Sequence, residues 1–223
     1  MLVPMQEYLY GIAEVSAYWP AEAQKVQAIL SRTYVSHVVE EYGQHRSICN
    51  CAVYDTSVDQ VFVGDDRRTD SGTYWKHWRS AVDRTDDEMV LYNGRPILAL
   101  YMSSSGGHTE NNENVWGGTP IPYLRGVRDP HDKVAPNGNH KWRVAMGWTS
   151  FSSRLDAAFG TGKLRRFVVE TPLGVSGRVT VVKGSDRGGV KIVGSHRTVR
   201  VSGSSIKSAL GLNDTLFKVT FVD

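Results

Sequence analysis

The sequence predicts an α+β fold: a helical N-terminal layer packed on antiparallel strands, with a small C-terminal β unit packed against it. Three observations predict it. Apolar residues recur at helical spacing up to Gly43. Short apolar runs bounded by turn residues follow. From Leu164 to Val222 apolar and polar residues alternate, with glycine turns between the runs. The 223 residues are 40% hydrophobic and 22% charged, enough to bury a core. They are expected to divide into a core at 1–150 and a β-rich part of the same domain at 151–223.

The elements are justified in order. Pro4 to Glu14 has apolar residues at helical spacing, with Glu14 at the helix end. Pro20 sits where a second helix starts, Gly43 where it stops. Between them Ala23, Val26, Ile29, Leu30, Thr33, Tyr34 and Val38 form one stripe. Cys51–Tyr54 and Gln60–Gly64 read as strands. A helix is predicted from Thr73 to Arg84, with Trp75, Trp78 and Val82 on one face. Met89–Tyr92 and Pro96–Met102 flank Asn93-Gly94, a hairpin turn signal. Ser103 to His140 is a long polar segment holding the ring anchors Trp116 and Tyr123, with Trp142 just beyond, which argues for an ordered, functional loop. Ser205–Leu212 is a short helix within the C-terminal β unit.

Several classes are excluded. No apolar run approaches the roughly 18 residues of a membrane-spanning helix, and mean hydropathy is −0.33. Heptads, a Gly-X-Y period and high cysteine density are all missing. The net charge of +3 is too small for whole-chain nucleic-acid binding, and no nucleic-acid partner is assigned. Its distribution is uneven: residues 151–223 carry 12 Lys+Arg against 5 Asp+Glu, and residues 1–150 carry 14 against 18. The basic third suits a polyanion such as a cell-wall polymer, lipid headgroups or nucleic acid, or is a solvated basic β-surface.

Four patches can carry chemistry. Glu14 lies close to Tyr18 and Trp19. Apolar, aromatic surroundings disfavour the charged form of a carboxyl, which suits a general acid; a solvated helix end is the plainer reading. Lys25 and Arg32 are seven apart on one helix, about 20° apart in azimuth, so both can meet one anion. Ser103-Ser104-Ser105-Gly106-Gly107-His108-Thr109-Glu110 follows a strand, and its small residues let backbone N–H groups approach a ligand. It lacks the Gly-Lys-Ser/Thr of a P-loop and the Gly-x-Ser-x-Gly of a nucleophile elbow. Cys49 and Cys51, with His45, have the makings of a metal site. Strand alternation points the two thiols apart, and a disulfide at this spacing would be strained. No metal and no cofactor are assigned.

These patches, in this order, resemble the SpoIID/LytB family of bacterial cell-wall proteins, which includes the stage II sporulation proteins D and the amidase enhancers. Glu7-Tyr-Leu-Tyr-Gly-Ile-Ala-Glu14 resembles the family's opening helix, with Glu14 at its key glutamate. Trp19-Pro-Ala-Glu-Ala-Gln-Lys-Val-Gln-Ala-Ile-Leu-Ser-Arg-Thr-Tyr34 resembles its second-helix block. Tyr54 through Gly64 matches its strands, and Tyr101 through Glu110, Val115-Trp-Gly-Gly118 and Pro122-Tyr-Leu-Arg125 match its most diagnostic strings. Ser208-Ala-Leu-Gly-Leu212 matches its C-terminal Leu-Gly-Leu.

The resemblance implies a lytic transglycosylase acting on peptidoglycan glycan strands, or a non-catalytic enhancer of a cell-wall amidase. It makes Glu14 the general acid/base, with Lys25 and Arg32 supporting it or holding substrate. It places Ser103, Ser104, Ser105, Gly106 and Gly107 along a cleft, with Tyr101 and Glu110 as further substrate contacts. That cleft is expected between Glu14 and the Ser103–Trp116 loop. Tyr18, Trp19, Tyr101, Trp116 and Tyr123 are candidates for stacking on sugar rings, though most are expected to be core. A transglycosylase needs one carboxyl, because the sugar's own 6-hydroxyl replaces water. Ser16 stands where family members often have Pro, and Cys49 lies closer to Cys51 than in the zinc-binding members, so zinc is not carried over. Met1-Leu-Val-Pro carries no leader. The expectation is therefore a chain truncated at its start, with an extracellular or cell-envelope location inferred from the resemblance alone.

Overall fold

The computed structural model describes residues 2–133, 139–182 and 188–222. The fold is α+β, with all strand pairs antiparallel among the described residues. It forms two compact units, Met1–Tyr101 and Met102–Asp223, and the expected boundary at residue 150 falls inside the second. No described helix is long and apolar enough to cross a membrane.

The first unit is built on helices α1 (Met5–Tyr10), α2 (Ala21–Tyr42), α3 (Asp66–Ser71) and α4 (Trp75–Asp83), with the hairpin β1 (Leu91–Tyr92) and β2 (Arg95–Pro96). The long helix runs between the expected Pro20 and Gly43. Its buried face is not the expected apolar stripe. Val26 is 54% exposed, whereas Gln24, Gln27, Ala28, Ser31, Arg32, Thr33, Val35 and Val38 are buried. Hydrogen bonds make this possible: Gln27 donates to Ser31 Oγ at 3.0 Å, and Arg32 donates to the Glu88 carbonyl and to Gln6 Oε1. The apolar core of the unit is Leu9, Ile12, Ala28, Trp78 and Val82. Trp78 also donates its indole N–H to the Leu9 carbonyl at 3.0 Å. Trp78 and Val82 are fully buried on α4, as the expected face required, but the helix begins at Trp75 after a 3-10 turn over Gly72–Tyr74.

Three local expectations are corrected here. Helix α1 stops at Tyr10, so Glu14 is not on a helix. The chain instead turns extended and pairs residues 11–13 with 61–63, through Ala13 N–H to the Val61 carbonyl and Val63 N–H to the Gly11 carbonyl, both 2.9 Å. Gly11 permits this close approach, since a Cβ there would lie 2.4 Å from the Phe62 ring. The segments at 51–54 and 60–64 make isolated bridges, Arg46↔Cys51 and Ile12↔Phe62, rather than regular strands. The segment at 46–51 is a turn with Asn50 at φ 49°, so strand alternation does not apply. That turn brings Cys49 and Cys51 to a Cα separation of 5.1 Å, and they form a disulfide. Among the described residues no cluster of three or more His, Cys, Asp or Glu has the makings of a metal site.

The second unit centres on the sheet β3 (Leu164–Val169), β4 (Val190–Gly194) and β5 (Thr198–Val201), in that order, with a bulge between Leu164 and Arg166. Helices α6 (Trp148–Phe159) and α7 (Gly203–Leu210) supply Phe151, Leu155, Ile206 and Leu210 to a core shared with Leu164, Val179, Val190 and Ile192. Ser202 caps α7 by accepting from Ser205 N–H, and Gly211 ends it in the left-handed region. The short helix α5 (Asn112–Val115) lies within the expected loop. Helix α6 was not expected, although Gly147 and Gly160 bracket Phe151, Leu155 and Phe159 at helical spacing.

Candidate functional site

Glu14 lies in the first unit on a loop held at several points. Its Oε1 accepts the Val61 N–H at 2.6 Å, and its Oε2 makes no hydrogen bond among the described residues. The following residues are tied down as well. Arg67 donates to the Val15 carbonyl, and its guanidinium lies over the Trp78 ring at 5.6 Å. Gln24, buried on α2, donates to the carbonyls of Ala17 at 2.9 Å and Trp19 at 2.6 Å. These are side-chain donors spent on backbone acceptors, the arrangement that fixes a loop without regular structure.

Gln60, next in sequence to the Val61 that holds this carboxyl, links two phenols. Tyr8 donates to Gln60 Oε1 at 2.9 Å, and Gln60 Nε2 donates to the Tyr101 oxygen at 3.2 Å. Burial pushes the Tyr101 phenol up to about 12; Glu14's charge adds to this, against the donors Gln60, Gln27 and Ser31. Burial likewise raises the Tyr8 phenol, helped by Tyr101, Asp59 and Glu14. Both phenols therefore stay protonated over the ordinary pH range. Asp59, next in sequence to Gln60, accepts from Tyr34 and from the Tyr54 N–H, each at 2.7 Å, and pairs with Arg46. Burial disfavours its charge, but those donors outweigh burial and hold it below the usual carboxylate range.

Of the residues expected at the site, Glu14 and Tyr101 are bonded to successive residues of one segment, Glu14 to the Val61 N–H and Tyr101 to Gln60. Lys25 is not directed at Glu14: its Nζ pairs with Glu22 at 2.7 Å on the helix surface. Arg32 is buried and spent on Gln6 and Glu88. The two cations, close in azimuth, differ because one points outward and the other into the α1–α2 packing.

The remaining expected residues belong to the second unit. Ser103 Oγ accepts from Asn139 at 3.1 Å. Ser104 Oγ donates to Asp132 at 2.9 Å, Ser105 N–H to the same carboxylate at 3.1 Å, and Ser105 Oγ to Asp129 at 2.8 Å. Gly106 and Gly107 have φ of 68° and 98°, so the loop needs glycine there. The Gly106 and Gly107 N–H groups fold back on Ser104 and Ser105. The loop is thus an internally bonded turn rather than a row of free donors. Glu110 accepts from Asn111 N–H, Asn114 Nδ2, Val175 N–H and both donors of Ser176. Burial opposes its charge, yet these donors hold it below the usual range. A cavity of about 1010 Å³ in this unit is lined by Trp142, Arg143, Trp148, Phe217 and Lys218, with Gly106 on its wall.

The expected stacking rings are mostly not core. Tyr18, Trp19 and Trp116 are exposed, and Tyr18 lies 4.2 Å from the Tyr74 ring. Sequence reasoning missed Tyr8, Gln24, Gln60 and Arg67. The signal available for Gln24 and Gln27 was their place among apolar residues on α2.

The Stage II sporulation protein family, SpoIID, matches residues 1–92. The stage II sporulation protein D of Bacillus subtilis (strain 168) is 28% identical over 226 residues, covering 97% of this chain and 60% of its own length. That of Bacillus amyloliquefaciens is 31% identical over 141 residues, covering 60% of this chain and 41% of its own. The amidase enhancer of Bacillus subtilis (strain 168) is 33% identical over 119 residues, covering 53% of this chain and 14% of its own. The chain thus spans 60% or less of the length of these relatives. With the glutamate, the second-helix block and the Tyr101–Glu110 string in the family's order, these matches support a likeness to the SpoIID/LytB family.

Proposed function

We propose that this chain is a peptidoglycan lytic transglycosylase with Glu14 as its acid and base. The observation that carries the reading is the asymmetry of one carboxyl. One oxygen is pinned by the Val61 N–H, while the other has no hydrogen-bond partner among the described residues. Such a group can hand a proton to a bridging glycosidic oxygen between MurNAc and GlcNAc. The C1–O bond breaks as that proton arrives. The Glu14 carboxylate then takes the 6-hydroxyl proton of the same sugar as O6 bonds to C1, giving a 1,6-anhydro end. Protons balance over the two steps and no water is consumed. The buried Arg32 supports the reaction by fixing α1 against α2, and Lys25 is left for substrate at the helix surface. The partner is the glycan strand of the wall, at the cell envelope or outside the cell.

Digestion of glycan strands followed by mass spectrometry tests this. Wild type releases 1,6-anhydro-muramyl products, and Glu14→Gln loses at least about a hundredfold in rate. Equal product from both overturns the proposal.

The amidase-enhancer relative favours a second reading: a wall-binding module that assists an amidase through its basic C-terminal face. Arg165 and Arg166 are exposed on β3 and Lys191 is half-buried on β4; Lys183, also expected there, lies outside the described residues. In that case Glu14→Gln leaves function intact, and charge reversal at Arg165 and Arg166 removes wall binding.

A further inference from the structure

We infer that Gln60 is a positioning residue for the Glu14 chemistry: its amide sets the direction of the Tyr101 phenolic proton and ties that ring to the backbone that holds the acid. The inference rests on the reading of Glu14 given above.

Gln60 is fully buried. A primary amide in that position is costly unless both its ends are bonded. Here both ends meet phenols: Oε1 accepts from Tyr8 at 2.9 Å, and Nε2 donates to Tyr101 at 3.2 Å. Its neighbours in sequence do complementary work. Asp59 is anchored by Tyr34, Arg46 and the Tyr54 N–H. Val61 uses its N–H on Glu14 Oε1 and its carbonyl on Ala13 N–H. Three successive residues thus anchor the segment, orient the phenols and hold the acid.

The direction of the proton follows from counting donors. Gln60 donates to the Tyr101 oxygen, so that oxygen is already an acceptor on its Gln60 side. The phenolic proton is therefore turned away from Gln60, and Tyr101 remains a donor. Glu14's charge acts on Tyr8 and Tyr101 alike and favours the neutral phenol in both. The titratable and charged groups around Gln60 are Glu14, Asp59 with its partner Arg46, Tyr8, Tyr34 and Tyr101. An acceptor-only side chain at 60 reverses the pattern, because it draws both phenolic protons to itself.

The test compares Gln60→Glu and Gln60→Met with wild type. Near neutral pH, Gln60→Glu lowers kcat about tenfold with KM within about twofold, the signature of lost positioning rather than lost binding. As the pH falls toward 5 the variant-to-wild-type ratio climbs, because a protonated carboxyl regains the donor that the amide supplied; Gln60→Met stays low throughout. A second readout needs no activity. The ¹³Cζ resonances of Tyr8 and Tyr101 move with pH in Gln60→Glu between pH 5 and 8 and do not in wild type, while the Trp78 indole resonance reports an unchanged core. A flat ratio, or tyrosine resonances that do not respond, overturns the inference. If wild type releases no anhydro product yet the resonances respond as stated, the acid reading fails and Gln60's control of Tyr101 stands. If Gln60→Met does not fold, the isosteric Gln60→Glu decides alone.

Discussion

Glu14 and Glu110 are the same side chain in opposite hydrogen-bonding surroundings. Glu110 collects five donors from Asn111, Asn114, Val175 and Ser176, and is held ionised. Glu14 takes a single donor, from Val61, and keeps an oxygen unengaged among the described residues. On the proposed reading, the difference is what separates a structural carboxylate from one that transfers a proton. Donor saturation commits a carboxylate to accepting, whereas proton transfer needs an oxygen with nothing yet to do.

The largest effects should separate the two glutamates by kind. Glu14→Gln is expected to stop glycan cleavage while leaving the thermal midpoint within about 2 °C, because it removes no saturated acceptor. Glu110→Ala should do the reverse. It orphans the Val175 and Ser176 donors and should cost the second unit about 2 kcal/mol, read as a fall in its denaturation midpoint. Activity lost in proportion to stability at both positions would erase the contrast.

Next come the pH limits of the two units. In the first unit the Tyr101 phenol is raised by burial to about 12, above its unfolded value of 10.0. Its contribution to stability is fully present below about pH 10 and is lost as the pH rises through about 12. In the second unit, burial disfavours the Glu110, Asp132 and Asp214 carboxylates, but their donors prevail and depress all three. Their contribution is present above the ordinary carboxylate range and is lost as the pH falls below it. Tyrosine absorbance and near-ultraviolet dichroism should therefore show the first unit loosening in alkali, and tryptophans of the second unit should report loosening in acid. Coincident transitions at both extremes would show that the chemistry of one unit does not set its own limit.

Subtler tests sharpen the contrast between the loops. Ser104→Ala removes one donor from Asp132, a carboxylate also bonded by Ser105 N–H and His140, and should cost about 1 kcal/mol without changing cleavage. Charge reversal at Arg165 and Arg166 should weaken wall binding severalfold at low salt and little at high salt, since exposed charges are screened.

How much of this was legible in the sequence depends on how local the cause is. The ends of α2 were readable because Pro20 and Gly43 act on their own neighbours. Its buried face was not, because Gln24 and Arg32 are held by partners on other segments and Gln27 by Ser31 on its own helix, and periodicity counts all three as solvent-facing. Glu14 was found through the surrounding motif, but its loop setting was hidden in a contact between Gly11 and the distant Phe62. The Ser103–Gly107 string looked like a ligand cradle because small residues leave room. Asp129 and Asp132, well beyond the motif, are what fill its hydrogen-bonding capacity.

The pairing of residues 11–13 with 61–63 has an implication for how such a chain tolerates insertion and deletion. The stretch from Gly43 to His45 lies outside that ladder and ahead of Arg46 and Tyr54, which anchor Asp59, so it can change length at small entropic cost without shifting Glu14. A single residue inserted between Gly11 and Glu14 would rotate the carboxyl to the opposite side of the extended segment. Length variation among natural or designed versions should therefore collect in the first place and be missing from the second.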